Sequence, residues 1–341
     1  IYKHIKSRFR WNNYYGKYSD EGIKKALSKN SGNVGDINLS LVAAMNAANI
    51  NAEPVILSTR DNGWVNKLFP VMSDFNYVVC KIDIGDSFFL LDATDPLLPF
   101  GLLPLRCIND QGRVMSNSKP SYWIDLKASQ KEVRFYKINL TLEEDGKLKG
   151  NMELSYIGYE ALEKRKKIKS FSSIDDYFEN IEDNMPGMRI LNADVKNLDE
   201  LENTLTEQIE VEIDAFKNLD QERIFFNPFF LNKITENPFK LNERSYPVDW
   251  GAPSESFISV EIKFPENFML QSKPEKVGVG LPGNGGKFLS EVTLDQSVLK
   301  MQQRIHFNKS IYDASEYYYL KELYNLIIKS QKFDVEFKKK I

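Results

Sequence analysis

Between Asp36 and Asn49 the apolar positions fall at Ile37, Leu41, Ala44, Met45 and Ala48. That three-and-four spacing puts them on one face of a helix, and Asn49 is a suitable stop. Two shorter helical patterns precede it, "YKHIKSRFRW" near the start and "SDEGIKKALSK" from 19, with Ser19 as a candidate N-cap. The period then changes from 3.6 to about 2. "EPVILSTR" (53–60), "NYVVCKIDI" (76–84) and "SFFLLDAT" (87–94) are rich in Val, Ile and Phe and predict strands. Gly85–Asp86 supplies a hairpin turn between the last two. "DPLLPFGLLPLRC" (95–107) is too rich in proline to be regular and predicts a wrapping segment.

Turn residues and a charged exit in "NSKPSYWIDLKASQKE" place a domain boundary around 125–130, giving units 1–127 and 128–341. Beyond it strand patterns dominate: "VRFYKINLTL", a turn at "EEDGK", then "LKGNMELSYIG". A helical insert is expected over 158–184. Further strands are expected near 208–216, 222–231, 257–264, 286–294 and 299–308. A helix over 313–331 follows, with Tyr317, Leu320, Tyr324, Ile327 and Ile328 on one face. No internal repeat or low-complexity tract is visible. The expected class is α+β: a mixed first unit, then an antiparallel β-sandwich-like domain with a C-terminal helix.

With 341 residues, 42% hydrophobic and 27% charged, the chain can build more than one core. A formal charge of −3 gives no electrostatic case for a nucleic-acid partner. The basic runs "EKRKKIK" (163–169) and "KFDVEFKKK" (332–340) read as a solvated face and a tail, and the acidic "SSIDDYFENIEDN" (172–184) as a solvated helix face. "GVGLPGNGGKF" (278–288) ends in Lys without a following Ser or Thr, so it reads as a hairpin turn and not a phosphate loop. Two cysteines, Cys80 and Cys107, and two histidines, His4 and His306, are too few for a thiolate or imidazole metal cluster, and no cofactor is implied. No apolar run reaches the length of a transmembrane helix. The chain opens at Ile1 inside a helical pattern, from which a natural start further upstream is expected.

The candidate chemistry lies where the Gly-bearing turn "SGNVGD" (31–36) meets the helix. Unpaired N–H groups at a helix start favour an anion and lower a thiol's pKa. A cysteine there, a His on a neighbouring strand and an Asp on the next would make a nucleophilic triad. In this chain Gly32-Asn33-Val34-Gly35-Asp36, Asn76-Tyr77-Val78 and Asp92-Ala93-Thr94 stand in that order. They resemble the core of the transglutaminase-like superfamily, a papain-like α+β fold, over about residues 1–110. The resemblance implies that Val34 holds the nucleophile position, Asn76 the base position and Asp92 the orienting carboxylate. Val34 has no nucleophile, and an amide is no base near neutral pH. The nearest substitutes are poor: Cys80 lies roughly 13 Å along the strand from Asn76, and Ser31 and Ser40 have no visible base. Asp92 is then expected to cap, or to bond the backbone and Asn76.

Aromatics make up 12% of the chain, with Trp11, Tyr14, Tyr15, Trp64, Tyr77 and Trp123 in the first unit. Arg60, Trp64 and Tyr77 are candidates to line a cleft. The stretches at 54–63, 75–96 and 237–251 also resemble bacterial proteins in which a β-rich domain follows a transglutaminase-like core and another often precedes it. That resemblance implies export to the periplasm or surface of a Gram-negative cell. The expected function is a catalytically inactive binding or scaffold module for a peptide, protein or glycan. The alternatives are a hydrolase or transferase with a relocated nucleophile, and a carbohydrate-binding surface protein.

Overall fold

The computed structural model describes residues 1–116, 118–217 and 219–340. They separate into two compact units, Ile1–Gln130 and Lys131–Ile341. The molecule is α+β, with most of its regular structure in strands.

The first unit has three helices, α1 (Tyr2–Arg8), α2 (Ile23–Lys29) and α3 (Val34–Ala47). Its antiparallel sheet holds β1 (Ala52–Leu57), β2 (Tyr77–Ile84), β3 (Ser87–Leu91), β4 (Gln111–Val114) and β5 (Tyr122–Asp125), in the order β3-β2-β1-β4-β5. The apolar face of α3 buries Ile37, Leu41 and Met45 against Cys80, Ile82 and Leu91 of the β2–β3 hairpin. Asn49 adopts the left-handed conformation just past the helix, and Gly85 does so in the hairpin turn. Two sequence expectations fail here. The first helix stops at Arg8, because Arg10 and Trp11 turn extended and pair with Ser31 and Gly32. Ser19 does not cap α2, whose N-cap is Gly22; its hydroxyl instead donates to the Asp36 carboxylate at the start of α3.

In the second unit, β6 (Glu132–Leu142), β7 (Lys147–Gly158), β8 (Met188–Lys196), β9 (Leu205–Asp214), β11 (Ser254–Lys263), β13 (Val277–Gly280), β14 (Gly286–Asp295) and β15 (Val298–Phe307) form an eight-stranded sheet. Its order is β8-β9-β7-β6-β11-β15-β14-β13, with one parallel pairing, β11 to β6. A smaller sheet of β10 (Arg223–Phe226), β12 (Phe268–Ser272) and β16 (Val335–Lys339) has β16 at its centre. The helical insert is two helices, α4 (Tyr159–Lys169) and α5 (Ile174–Asp183), because Ser173 ends the turn between them as the α5 N-cap. The inner face of the large sheet, the small sheet and these helices share one core. The C-terminal helix α6 (Tyr317–Gln331) packs in a second core with Phe239, Phe288 and Phe307.

Both basic runs prove partly internal. Val335 and Phe337 are buried in β16 while Glu336 between them and Lys338 and Lys339 after them are only partly buried, so the supposed tail is a strand. Arg165, in the middle of the other run, is fully buried and donates to the carbonyls of Asn197, Glu200, Leu201 and Asn203.

Candidate functional site

Helix α3 starts at Val34, and its tip is closed by the chain's own groups. Asn33 Oδ1 accepts from the Asp36 N–H at 2.7 Å, and an Asp36 carboxylate oxygen accepts from the Asn33 N–H at 3.0 Å, a reciprocal capping box. The Val34 N–H donates to the Tyr14 carbonyl at 3.2 Å. Asn33 Nδ2 donates to the Tyr18 carbonyl at 3.2 Å. The segment around 14–19 therefore lies across the helix start. A Cβ on Gly35 would sit 2.0 Å from the Tyr18 carbonyl oxygen, which is why this position needs glycine. The Val34 side chain is fully buried in a core shared with Tyr77, Leu103 and Cys107. At the tip the Val34 N–H is spent on Tyr14 and the Asp36 N–H on Asn33, and the Val34 side chain is aliphatic.

Asp92, just beyond β3, is fully buried and saturated. One oxygen accepts from Asn38 Nδ2 at 3.1 Å and from the Thr94 N–H at 2.9 Å. The other accepts from the Tyr77 hydroxyl at 2.7 Å. Arg106 Nη2 stands 3.7 Å from Asp92 and donates to the Tyr77 oxygen at 2.8 Å and to Thr94 Oγ1 at 3.0 Å. The guanidinium also lies over the rings of Trp11 (4.9 Å) and Tyr77 (5.4 Å). Tyr15 stacks on Trp11 and meets Tyr77 edge-on. Among the hydrogen-bonded groups Arg106, its side chain 25% exposed, is the most open.

Asn76 is not in the network. Its Oδ1 accepts from the Thr59 N–H at 2.9 Å and its Nδ2 donates to Thr59 Oγ1 at 2.7 Å. Successive side chains in an extended segment point to opposite faces, so it is Tyr77, one residue on, that faces Asp92. The expected bond from Asp92 to Asn76 is thus replaced by one from Tyr77, and Tyr77 is interior and lines no cleft. Arg60 is half-buried, its backbone N–H bonded to the Arg106 carbonyl. Trp64 projects into solvent, 78% exposed. Asn38, Thr94 and Arg106 escaped the sequence reading. Asn38 lies one helical turn past Val34, which spacing could have signalled; Arg106 arrives from the irregular segment, where no period operates.

The phenol and the thiols here are shifted away from neutral pH. Burial, reinforced by the negative Asp92, holds the Tyr77 phenol well above its ordinary pKa. Burial pushes the Cys107 thiol well up despite Arg106 beside it, and pushes Cys80 up to about 12. Both thiols are buried and unpaired. The Ser40 hydroxyl donates back to the Asp36 carbonyl at 2.6 Å. His306 belongs to the second unit, and His4 is exposed on α1. Among the described residues no three His, Cys, Asp or Glu side chains gather to hold a metal ion, and no helix is long and apolar enough to cross a membrane.

Residues 222–337, in the second unit, match the family described as "Domain of Unknown Function with solved-structure structure", DUF3858. The chain is similar in fold to a crystal structure of a "putative protease" from Parabacteroides distasonis, with a TM-score of 0.51 at 13% identity. The likeness covers 98% of this chain and 50% of that one, so this chain spans about half the length of its structural relative. No curated protein matches it in sequence.

Proposed function

We propose that the first unit is a papain-like, transglutaminase-like core that carries no catalytic activity and serves as a binding or scaffold module. The observation that carries this reading is the closed helix tip. Val34 stands where a nucleophile would need to be, and its N–H is taken by the Tyr14 carbonyl beneath the 14–19 segment. A phenol and a guanidinium occupy the surroundings of Asp92 where a triad would need an imidazole. A relocated nucleophile finds no support in Cys80, Cys107 or Ser40, since each is buried and none has a base. The fold likeness to a "putative protease" fits descent from a catalytic ancestor of the same architecture. Placement in the cell envelope rests on the family resemblance.

The test is active-site labelling of the folded chain. Incubation with iodoacetamide and with a fluorophosphonate, followed by peptide mass spectrometry, should modify neither cysteine nor any serine until denaturant is added. Saturable labelling of one residue in the native chain, together with loss of a measurable peptidase or transamidase rate, would overturn the proposal.

A further inference from the structure

The outer face of the eight-stranded sheet carries an arrangement that strand stability does not explain. Asparagine is disfavoured in strands, yet Asn139, Asn151 and Asn192 stand mid-strand on β6, β7 and β8, all exposed. The register puts them in one row: Asn139 opposite Asn151, Asn151 opposite Glu210, and Glu210 opposite Asn192. Gln208, paired to both Glu153 and Asp194, leads the next row. Among the described residues the three asparagine side chains have no hydrogen-bond partner, whereas Gln208 bonds to Glu153 at 3.2 Å. These side chains line an open trough of about 380 Å³. Two residues along β6 from Lys137, on the same face, Phe135 stacks on Phe257 of β11 with ring centroids 5.0 Å apart and planes 15° apart. Phe135 is 42% exposed.

We propose that this face binds a neutral oligosaccharide. A sugar presents adjacent hydroxyls, each both donor and acceptor, and a flat C–H face. Free carboxamides supply a donor and an acceptor side by side, and an exposed aromatic ring takes the C–H face. Strands hold the backbone positions of these groups in fixed register, so the carboxamides stand in a row at set spacing. The charge of the trough selects against acidic ligands: Glu153, Asp194 and Glu210 face the single cation Lys137. A peptide adding itself as a strand would need free main-chain groups; the main chain of β6, β7 and β9 is paired on both sides, so such a peptide could add here only at the outer edge of β8 and not over the Asn139–Asn151 row. The assignment concerns the second unit and is independent of the reading of the first.

Affinity electrophoresis of the full chain tests it, in native gels containing soluble β-glucan, mannan, starch or polygalacturonate. The expected result is retardation by at least one of the neutral polysaccharides and none by polygalacturonate. In the retarding gel the triple substitution Asn139→Thr, Asn151→Thr, Asn192→Thr should weaken binding more than tenfold. Its thermal midpoint should be unchanged or higher, because threonine suits strands better. Should the triple variant fail to fold, Asn151→Thr alone is expected to weaken binding at least threefold. Phe135→Thr should weaken it severalfold. Absence of retardation in every neutral gel, retardation by polygalacturonate alone, or undiminished retardation of a folded asparagine variant would overturn the proposal.

Discussion

Each unit buries one carboxylate completely, and the two are held differently. Asp92 in the first unit is bonded by one tyrosine, one asparagine and a backbone N–H, with Arg106 as its cation at 3.7 Å. Glu207 in the second is bonded by the hydroxyls of Tyr156 and Tyr177, with Lys164 at 3.3 Å. Lys164 also lies over the Tyr156 ring. Arginine stays charged at any pH a protein survives, whereas a buried lysine does not. Burial does lower the Lys164 pKa. A buried acid with a tyrosine and a cation is therefore no signature of catalysis, since the same ingredients in the second unit tie α4 and α5 to β7 and β9. What sets the Asp92 network apart is its position, in the same unit as the closed α3 tip on which the proposed function rests.

Removing either carboxylate should have the largest effect. Asp92→Ala and Glu207→Ala each leave a part-buried cation without its partner and one or two buried hydroxyls without an acceptor, at about 2–4 kcal/mol. Hydrogen exchange should show the loss mainly in the unit that carries the substitution. Losses below about 1 kcal/mol would mean that these networks are not structural. The smaller effect is alkaline and separates the units. Cys80 and Cys107 have folded pKa values raised above the thiol's ordinary 9.0, so the folded state holds protons that the unfolded state releases. Their contribution is intact below pH 9 and drains away as pH rises past it. Both cysteines are in the first unit. In the second unit the raised tyrosines are Tyr136, Tyr156, Tyr177, Tyr312 and Tyr324, whose contribution, like that of Tyr15 and Tyr77 in the first, drains only above about pH 10. Lys164 works in the opposite direction there: its lowered pKa makes the charged form unfavourable in the fold, a penalty that lifts as pH rises toward 10.5. Between pH 8.5 and 9.5 the first unit should lose about 1 kcal/mol while the second holds steady. Unit-resolved denaturant unfolding at the two pH values checks this, and equal losses would erase the distinction.

The same contrast shows what was legible in the sequence. Helix α3 and the β2–β3 hairpin could be read because one period governs each and Gly85 punctuates the turn. Val34 at the helix start followed from the resemblance of Gly32–Asp36 to a transglutaminase-like turn, not from the period, which begins only at Ile37. The partner of Asp92 did not, because a one-residue change of register exchanges Asn76 for Tyr77 and no local pattern fixes which of them faces inward. Ser19 fitted a cap by position, but its hydroxyl is drawn to Asp36, seventeen residues on. Strand β16 was hidden by its lysines: the outward residues carry the charge that catches the eye, and only Val335 and Phe337 record the buried face. Arg165 was hidden in the same way, its four carbonyl partners coming from a loop more than thirty residues away.

The central claim is that the α3 tip is sealed. Hydrogen exchange at the Val34 amide, resolved by NMR, tests it most directly. Bonded to the Tyr14 carbonyl beneath the 14–19 segment, this amide should exchange as slowly as the interior amides of α3. Exchange within seconds, at the pace of an open loop, would show a helix start free to receive a substrate's charge and would contradict the account.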